Sequence, residues 1–229
     1  YRYGFDDLGV VYTAIQHQGI LYIGTNQGLY RYQSSSDSFQ FIEQTRGQVW
    51  DLKVLHNKLY CFHDKGLFEV SSLKASQISS ATGFWTAEPF EGELNPSYIL
   101  GGYDGVYRYT EGSAPEKIEG FDVSSRFLSV AGNQLVVNHE KLGLFFLELD
   151  ANAERIEAQK NIATIGSATS LFTLNEHIFY RSTEGIFEVD TKDKVLRFQK
   201  NFSNQLNFKT IRPSKSTVTP NGAAFLGEN

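Results

Sequence analysis

Five short segments decide how this chain reads: Gly28-Leu29-Tyr30-Arg31-Tyr32, Gly66-Leu67-Phe68-Glu69-Val70, Gly105-Val106-Tyr107-Arg108-Tyr109, Gly143-Leu144-Phe145-Phe146-Leu147 and Gly185-Ile186-Phe187-Glu188-Val189. Each is a glycine followed by apolar or aromatic residues, and the glycines stand 38, 39, 38 and 42 residues apart. A period of about 40 residues marks a chain built from one repeated supersecondary unit. Just upstream of each copy lies an apolar run and then a polar tip. Leu21-Tyr22-Ile23 precedes Thr25-Asn26-Gln27, and Leu59-Tyr60-Cys61-Phe62 precedes His63-Asp64-Lys65. Tyr98-Ile99-Leu100 precedes Tyr103-Asp104, Leu135-Val136-Val137 precedes His139-Glu140-Lys141, and Ile178-Phe179-Tyr180 precedes Ser182-Thr183-Glu184. Two apolar strands meeting at a glycine-bounded polar tip read as a β-hairpin.

Working outward from the hairpins adds two strands to each unit. An apolar stretch lies upstream, as in Val49-Trp50-Asp51-Leu52-Lys53-Val54-Leu55, Phe127-Leu128-Ser129-Val130 and Leu171-Phe172-Thr173-Leu174. Another lies downstream, as in Phe39-Gln40-Phe41, Lys117-Ile118 and Val195-Leu196-Arg197-Phe198. Four strands, A to D in chain order, recurring at this period describe the blade of a β-propeller. Leucine-rich and helical solenoids have shorter repeats or a sustained helical stripe, and neither is seen. The expected fold is all-β, one propeller domain over residues 1–229, with blades centred on Gly28, Gly66, Gly105, Gly143 and Gly185. Both ends fall mid-blade. Tyr1-Arg2-Tyr3 lies 38 residues before Phe39-Gln40-Phe41, and Phe225-Leu226-Gly227-Glu228-Asn229 resembles Tyr22-Ile23-Gly24-Thr25-Asn26. A sixth blade would then combine residues 207–229, with Phe208 and Phe225 on its A and B strands, with residues 1–3 as strand D, and would lack strand C. A fragment of a larger propeller satisfies the same pattern without leaving an incomplete blade, whose unpaired ladder groups natural proteins avoid.

Composition agrees. The chain of 229 residues is 41% hydrophobic and 14% aromatic, enough apolar surface for a packed core, and its 18 Phe and 12 Tyr suit pleated, half-buried surfaces. A net charge of −5 argues against a nucleic-acid groove, which needs concentrated Lys and Arg. Cys61 stands alone, so no intrachain disulfide forms. No apolar run approaches a membrane span. The start at Tyr1 and the absence of Met read as a processed or excised chain.

The run Ile20-Leu21-Tyr22-Ile23-Gly24-Thr25-Asn26-Gln27-Gly28-Leu29-Tyr30-Arg31-Tyr32 resembles the two-component-regulator propeller repeat, whose core reads apolar, aromatic, apolar, Gly-Thr, then Gly-Leu-Tyr. The likeness is sharp in this copy; Gly-Thr becomes Phe62-His63, Gly101-Gly102 and Arg181-Ser182 in later ones. Other propeller signatures are missing: Trp50-Asp51 occurs once and on an inner strand, unlike the WD dipeptide, Gly101-Gly102 is the sole kelch-type doublet, and no sialidase-type Asp box is present. The resemblance implies a periplasmic or extracellular sensor region of a bacterial hybrid histidine kinase or related transcriptional regulator, often sensing glycans.

In a propeller the D–A crossings and B–C tips share one face, at the mouth of the central channel. The crossings carry Tyr12, Trp50, Trp85, Arg126 and Phe208, and the tips carry His63, Asp64, Asp104, His139 and Glu140. Aromatic platforms beside a few hydrogen-bonding groups suit a sugar or peptide. The expected ligand-binding set is Tyr12, Trp50, Trp85, Arg126, Asp64, His63, His139 and Asp104. The bland alternative has the aromatics packing between blades and the tip residues serving as solvated turns. No His-x-x-x-His pair fixes a metal geometry, and no nucleophile with its base stands out, so neither metal, cofactor nor catalysis is expected. Expected partners are a small-molecule or oligosaccharide ligand, or a protein, with a homodimer open. A protein-interaction scaffold is the alternative to a sensor, and a carbohydrate-active enzyme a third.

Overall fold

The computed structural model describes residues 8–91, 96–201, 212–219 and 222–228. They form five four-stranded antiparallel sheets and one hairpin. The first sheet is β1 (Val11–His17), β2 (Ile20–Thr25), β3 (Leu29–Gln33) and β4 (Ser38–Phe41); the second is β5 (Val49–Leu55), β6 (Lys58–His63), β7 (Gly66–Ser71) and β8 (Lys74–Ser79). The third comprises β9 (Phe84–Glu91), β10 (Pro96–Gly102), β11 (Gly105–Tyr109) and β12 (Glu116–Lys117). The fourth has β13 (Phe127–Ala131), β14 (Gln134–His139), β15 (Gly143–Leu149) and β16 (Ile156–Ile162), and the fifth β17 (Ser170–Leu174), β18 (His177–Ser182), β19 (Gly185–Asp190) and β20 (Val195–Phe198). The hairpin is β21 (Arg212–Thr219) with β22 (Gly222–Glu228). Helix among the described residues is confined to a 3-10 turn at Glu43–Thr45 and residues 200–201. In every sheet the strands pair in chain order, as an up-and-down blade requires.

The repeated glycines share one structural position. Gly66, Gly105, Gly143 and Gly185 open the third strand of their sheets, and Gly28 directly precedes the third strand of its own. At Gly66 the reason is explicit: φ is +132°, and a Cβ would intrude on the Ser79 carbonyl. The A–B turns follow the hairpin rule, with positive φ at both central residues of Gln18-Gly19, His56-Asn57 and Asn175-Glu176.

The chain divides into two compact units, Tyr1–Ala87 with Ser97–Lys117, and Glu88–Pro96 with Ile118–Asn229. In the first, strand alternation sends neighbouring residues of β6 to opposite faces. Leu59 and Cys61 join Tyr22, Leu29, Ile42, Val49 and Leu52 in one core. Tyr60 and Phe62 join Leu67, Phe84, Leu100, Tyr107 and Tyr109 in another. Being buried on both faces is why this strand reads as an unbroken apolar run. In the second unit, Val136, Leu144, Phe146, Leu171, Ile178, Tyr180 and Val189 form the corresponding core. The expectation that Tyr1–Tyr3 and Phe208 complete a sixth blade concerns residues outside those described.

Candidate functional site

Three of the expected aromatics meet in the first unit. Tyr12, Trp50 and Trp85 are the second residues of β1, β5 and β9, the innermost strands of successive sheets. The β1–β2 register jumps between Val11 and Thr13, and the β5–β6 register jumps between Val49 and Asp51. Tyr12 and Trp50 are therefore the extra, unpaired residues of β-bulges, a device that re-aims a side chain out of the ladder. Tyr12 and Trp50 stack with ring centroids 5.2 Å apart and planes at 30°. Trp50 and Trp85 follow at 4.7 Å, and Trp85 and Tyr103 at 4.7 Å. The indole Nε1 of Trp50 donates to the Tyr103 hydroxyl at 2.6 Å, tying the cluster together. All four rings are partly exposed. Such a group offers apolar ring surface with its polar atoms already oriented, which suits an aromatic-stacking ligand.

Tyr103 was not among the residues the sequence singled out. It sits in the β10–β11 tip, and its backbone N–H bonds the Gly83 carbonyl at 3.0 Å. Gly83 lets the ring approach: a Cβ there would stand 2.6 Å from the Tyr103 ring and 2.8 Å from the Asp64 carbonyl oxygen. The signal available in the sequence was an aromatic at a tip where the other blades carry polar residues.

His63 departs from expectation. Placed by sequence at a solvated tip, its side chain is wholly buried, because the crossing from β4 to β5 folds over it. Its Nε2 donates to the Thr45 carbonyl at 3.1 Å, and its Nδ1 accepts the Lys65 N–H at 2.9 Å. Burial holds its pKa below the ordinary histidine value, outweighing the Thr45 bond and the Asp64 carboxylate 2.7 Å away. A ring so enclosed cannot contact a ligand; it fastens the tip. Asp64 accepts the Gln48 N–H at 3.2 Å, so it anchors the crossing that leads to Trp50.

Asp104 is exposed and held locally. It accepts the Tyr107 hydroxyl at 3.0 Å and 3.1 Å and lies 3.4 Å from the Lys117 ammonium. Burial raises its pKa, but the Tyr107 and Thr82 hydroxyls and Lys117 together bring it below the ordinary aspartate value. Arg126 and His139 belong to the second unit. The Arg126 guanidinium lies 5.1 Å from the centre of the Phe127 ring and 3.8 Å from the Glu140 carboxylate. His139 Nδ1 accepts the N–H groups of Lys141 and Leu142, each at 3.2 Å, and so shapes its own turn. Among the described residues no group of three or more His, Cys, Asp or Glu side chains is arranged to hold a metal ion. No described helix is long and apolar enough to cross a membrane.

No family model matches the sequence, and neither does any curated protein. Solved structures do resemble it. The extracellular domain of the one component system BT4673 from B. thetaiotaomicron superposes with a TM-score of 0.68 at 14% identity, over 98% of this chain and 32% of that one. The extracellular domain of the hybrid two component system BT3049 from B. thetaiotaomicron gives 0.64 at 12% identity, over 86% of this chain and 31% of that one. The WD40 β-propeller domain of Doa1 gives 0.62 at 11% identity, over 94% of this chain and 74% of that one. The chain thus spans about a third of the length of the two extracellular domains. At these identities the likeness establishes the fold, and together with five four-stranded sheets in chain order it identifies the chain as β-propeller structure.

Proposed function

We propose that this chain is a non-catalytic, ligand-sensing part of an extracellular signalling propeller, and that its ligand seats on the Tyr12–Trp50–Trp85–Tyr103 cluster. The observation that carries the reading is the cluster itself: four partly exposed rings from three successive blades, two of them turned out of their ladders by bulges. Large aromatics are usually core, so partly exposed rings gathered at strand starts call for a partner. Two of the structural neighbours are extracellular domains of one and two component systems, which supports a sensing role. A glycan is the preferred ligand, since the C–H face of a sugar packs on ring surface and its hydroxyls reach the backbone around the tips.

Both tryptophans of the protein lie in the cluster, so tryptophan emission, excited at wavelengths the tyrosines do not absorb, reports on the site. Titration with a panel of neutral oligosaccharides should shift or quench the emission. The same sugars should raise Tm, because a ligand bound only by the native state stabilises it by about 2.7 kcal/mol at one hundred times its Kd. A panel that moves neither signal refutes the glycan reading. One observation favours the scaffold reading instead: Val10 and Val11, which directly precede Tyr12 in the chain, are 52% and 49% exposed. A protein partner would be lost on Val10→Asp and Val11→Asp substitution, with sugars inert.

A further inference from the structure

We propose that Asp51 is the positioning residue of the aromatic cluster, its buried carboxylate tying together the inner strands of three successive blades. The proposal rests on reading the cluster as a ligand site, and it assigns the cause of the cluster's geometry. Each ring-bearing residue of the inner strands is followed by a polar one: Tyr12 by Thr13, Trp50 by Asp51 and Trp85 by Thr86. Asp51 Oδ1 accepts the Thr13 hydroxyl at 3.3 Å, and Oδ2 accepts the Thr86 hydroxyl at 2.7 Å. The Leu52 N–H also donates to Oδ1, at 2.8 Å, which sets the carboxylate's rotamer. Asp51 is 4% exposed and Thr13 7%.

A carboxylate so enclosed gives up its hydration, and as a source of stability it is a poor choice beside an apolar side chain of the same size. Its advantage is direction. Two oxygens can hold two neighbouring strands at a fixed offset, whereas an apolar contact tolerates sliding. The offset between β1, β5 and β9 is what sets the ring spacing one residue earlier, because Tyr12 and Trp50 leave the ladder at bulges and no sheet pairing constrains them there. Fixing Thr13, Asp51 and Thr86 therefore fixes where Tyr12, Trp50 and Trp85 start.

The test is spectroscopic and needs no ligand. Two indoles in contact at 4.7 Å couple as an exciton pair, visible as a couplet in the ultraviolet circular dichroism, and no other tryptophan contributes. Asp51→Leu should lose the couplet and red-shift the emission while keeping the β-sheet signal and a cooperative melt. A folded Asp51→Leu protein with the wild-type couplet overturns the proposal. If Asp51→Leu does not fold, the Thr13→Val, Thr86→Val double variant decides: loss of the couplet supports positioning through Asp51, and retention refutes it. Because the couplet is read on the unliganded protein, its outcome is independent of the sugar titration, which judges the binding reading alone.

Discussion

Replacing Trp50 by alanine tests whether the four rings form one packed group. Trp50 touches Tyr12 at 5.2 Å and Trp85 at 4.7 Å, and aromatic pairs contribute about 0.5–1.5 kcal/mol each beyond the area they bury. Its indole N–H bond to Tyr103 adds a net of about 0.5–1.5 kcal/mol. Full burial of a tryptophan would cost about 3–5 kcal/mol to remove, but Trp50 is only partly buried. The loss should therefore be about 2–4 kcal/mol. Urea unfolding followed by the emission of Trp85 reads the first unit directly, without assuming that both units unfold together. Tyr103→Phe, which removes only the hydrogen bond, should cost about 1 kcal/mol in the same assay. A loss below about 1 kcal/mol for Trp50→Ala would refute the reasoning, because the rings would then be neighbours held by other contacts.

Further expectations concern the frame around the site. Gly66→Ala should destabilise by about 2–5 kcal/mol, combining a disfavoured φ with displacement of the Ser79 carbonyl, and a near-wild-type urea midpoint would show that the turn relaxes easily. His63 has a lowered folded pKa, so the unfolded chain binds its proton more readily; stability should fall as pH drops through 6.5 toward the folded value, and His63→Gln should flatten that slope of urea midpoint against pH. Cys61 is fully buried with its thiol pushed far above the ordinary value, so a thiol reagent should label it only as fast as the first unit opens; rapid native labelling would contradict its place in the core.

The blade repeat was legible because it is written locally. Glycine at the entry to each third strand, two-residue turns with positive φ and period-two alternation all follow from neighbouring residues, so spacing along the chain carried them into space. Tyr12, Trp50 and Trp85 were legible for the same reason, each standing near the start of the first strand of its blade. What the sequence could not supply was contact between side chains distant in the chain. Tyr103 lies 53 positions from Trp50, whose indole N–H it accepts, and although an aromatic stands out among polar tips, nothing local says which ring it meets. Asp51 read as half of a failed WD dipeptide, and its role emerges only once Thr13 and Thr86 converge on it from neighbouring blades. His63 shows the limit most plainly. Its polarity and its place at a tip argue for solvent, yet a crossing loop closes over it and the Thr45 carbonyl accepts a hydrogen bond from its Nε2–H, a burial that depends on where a different stretch of backbone passes. Periodicity is a one-dimensional property and decided the fold; which rings touch, and which polar groups are sealed beneath them, is decided by tertiary packing.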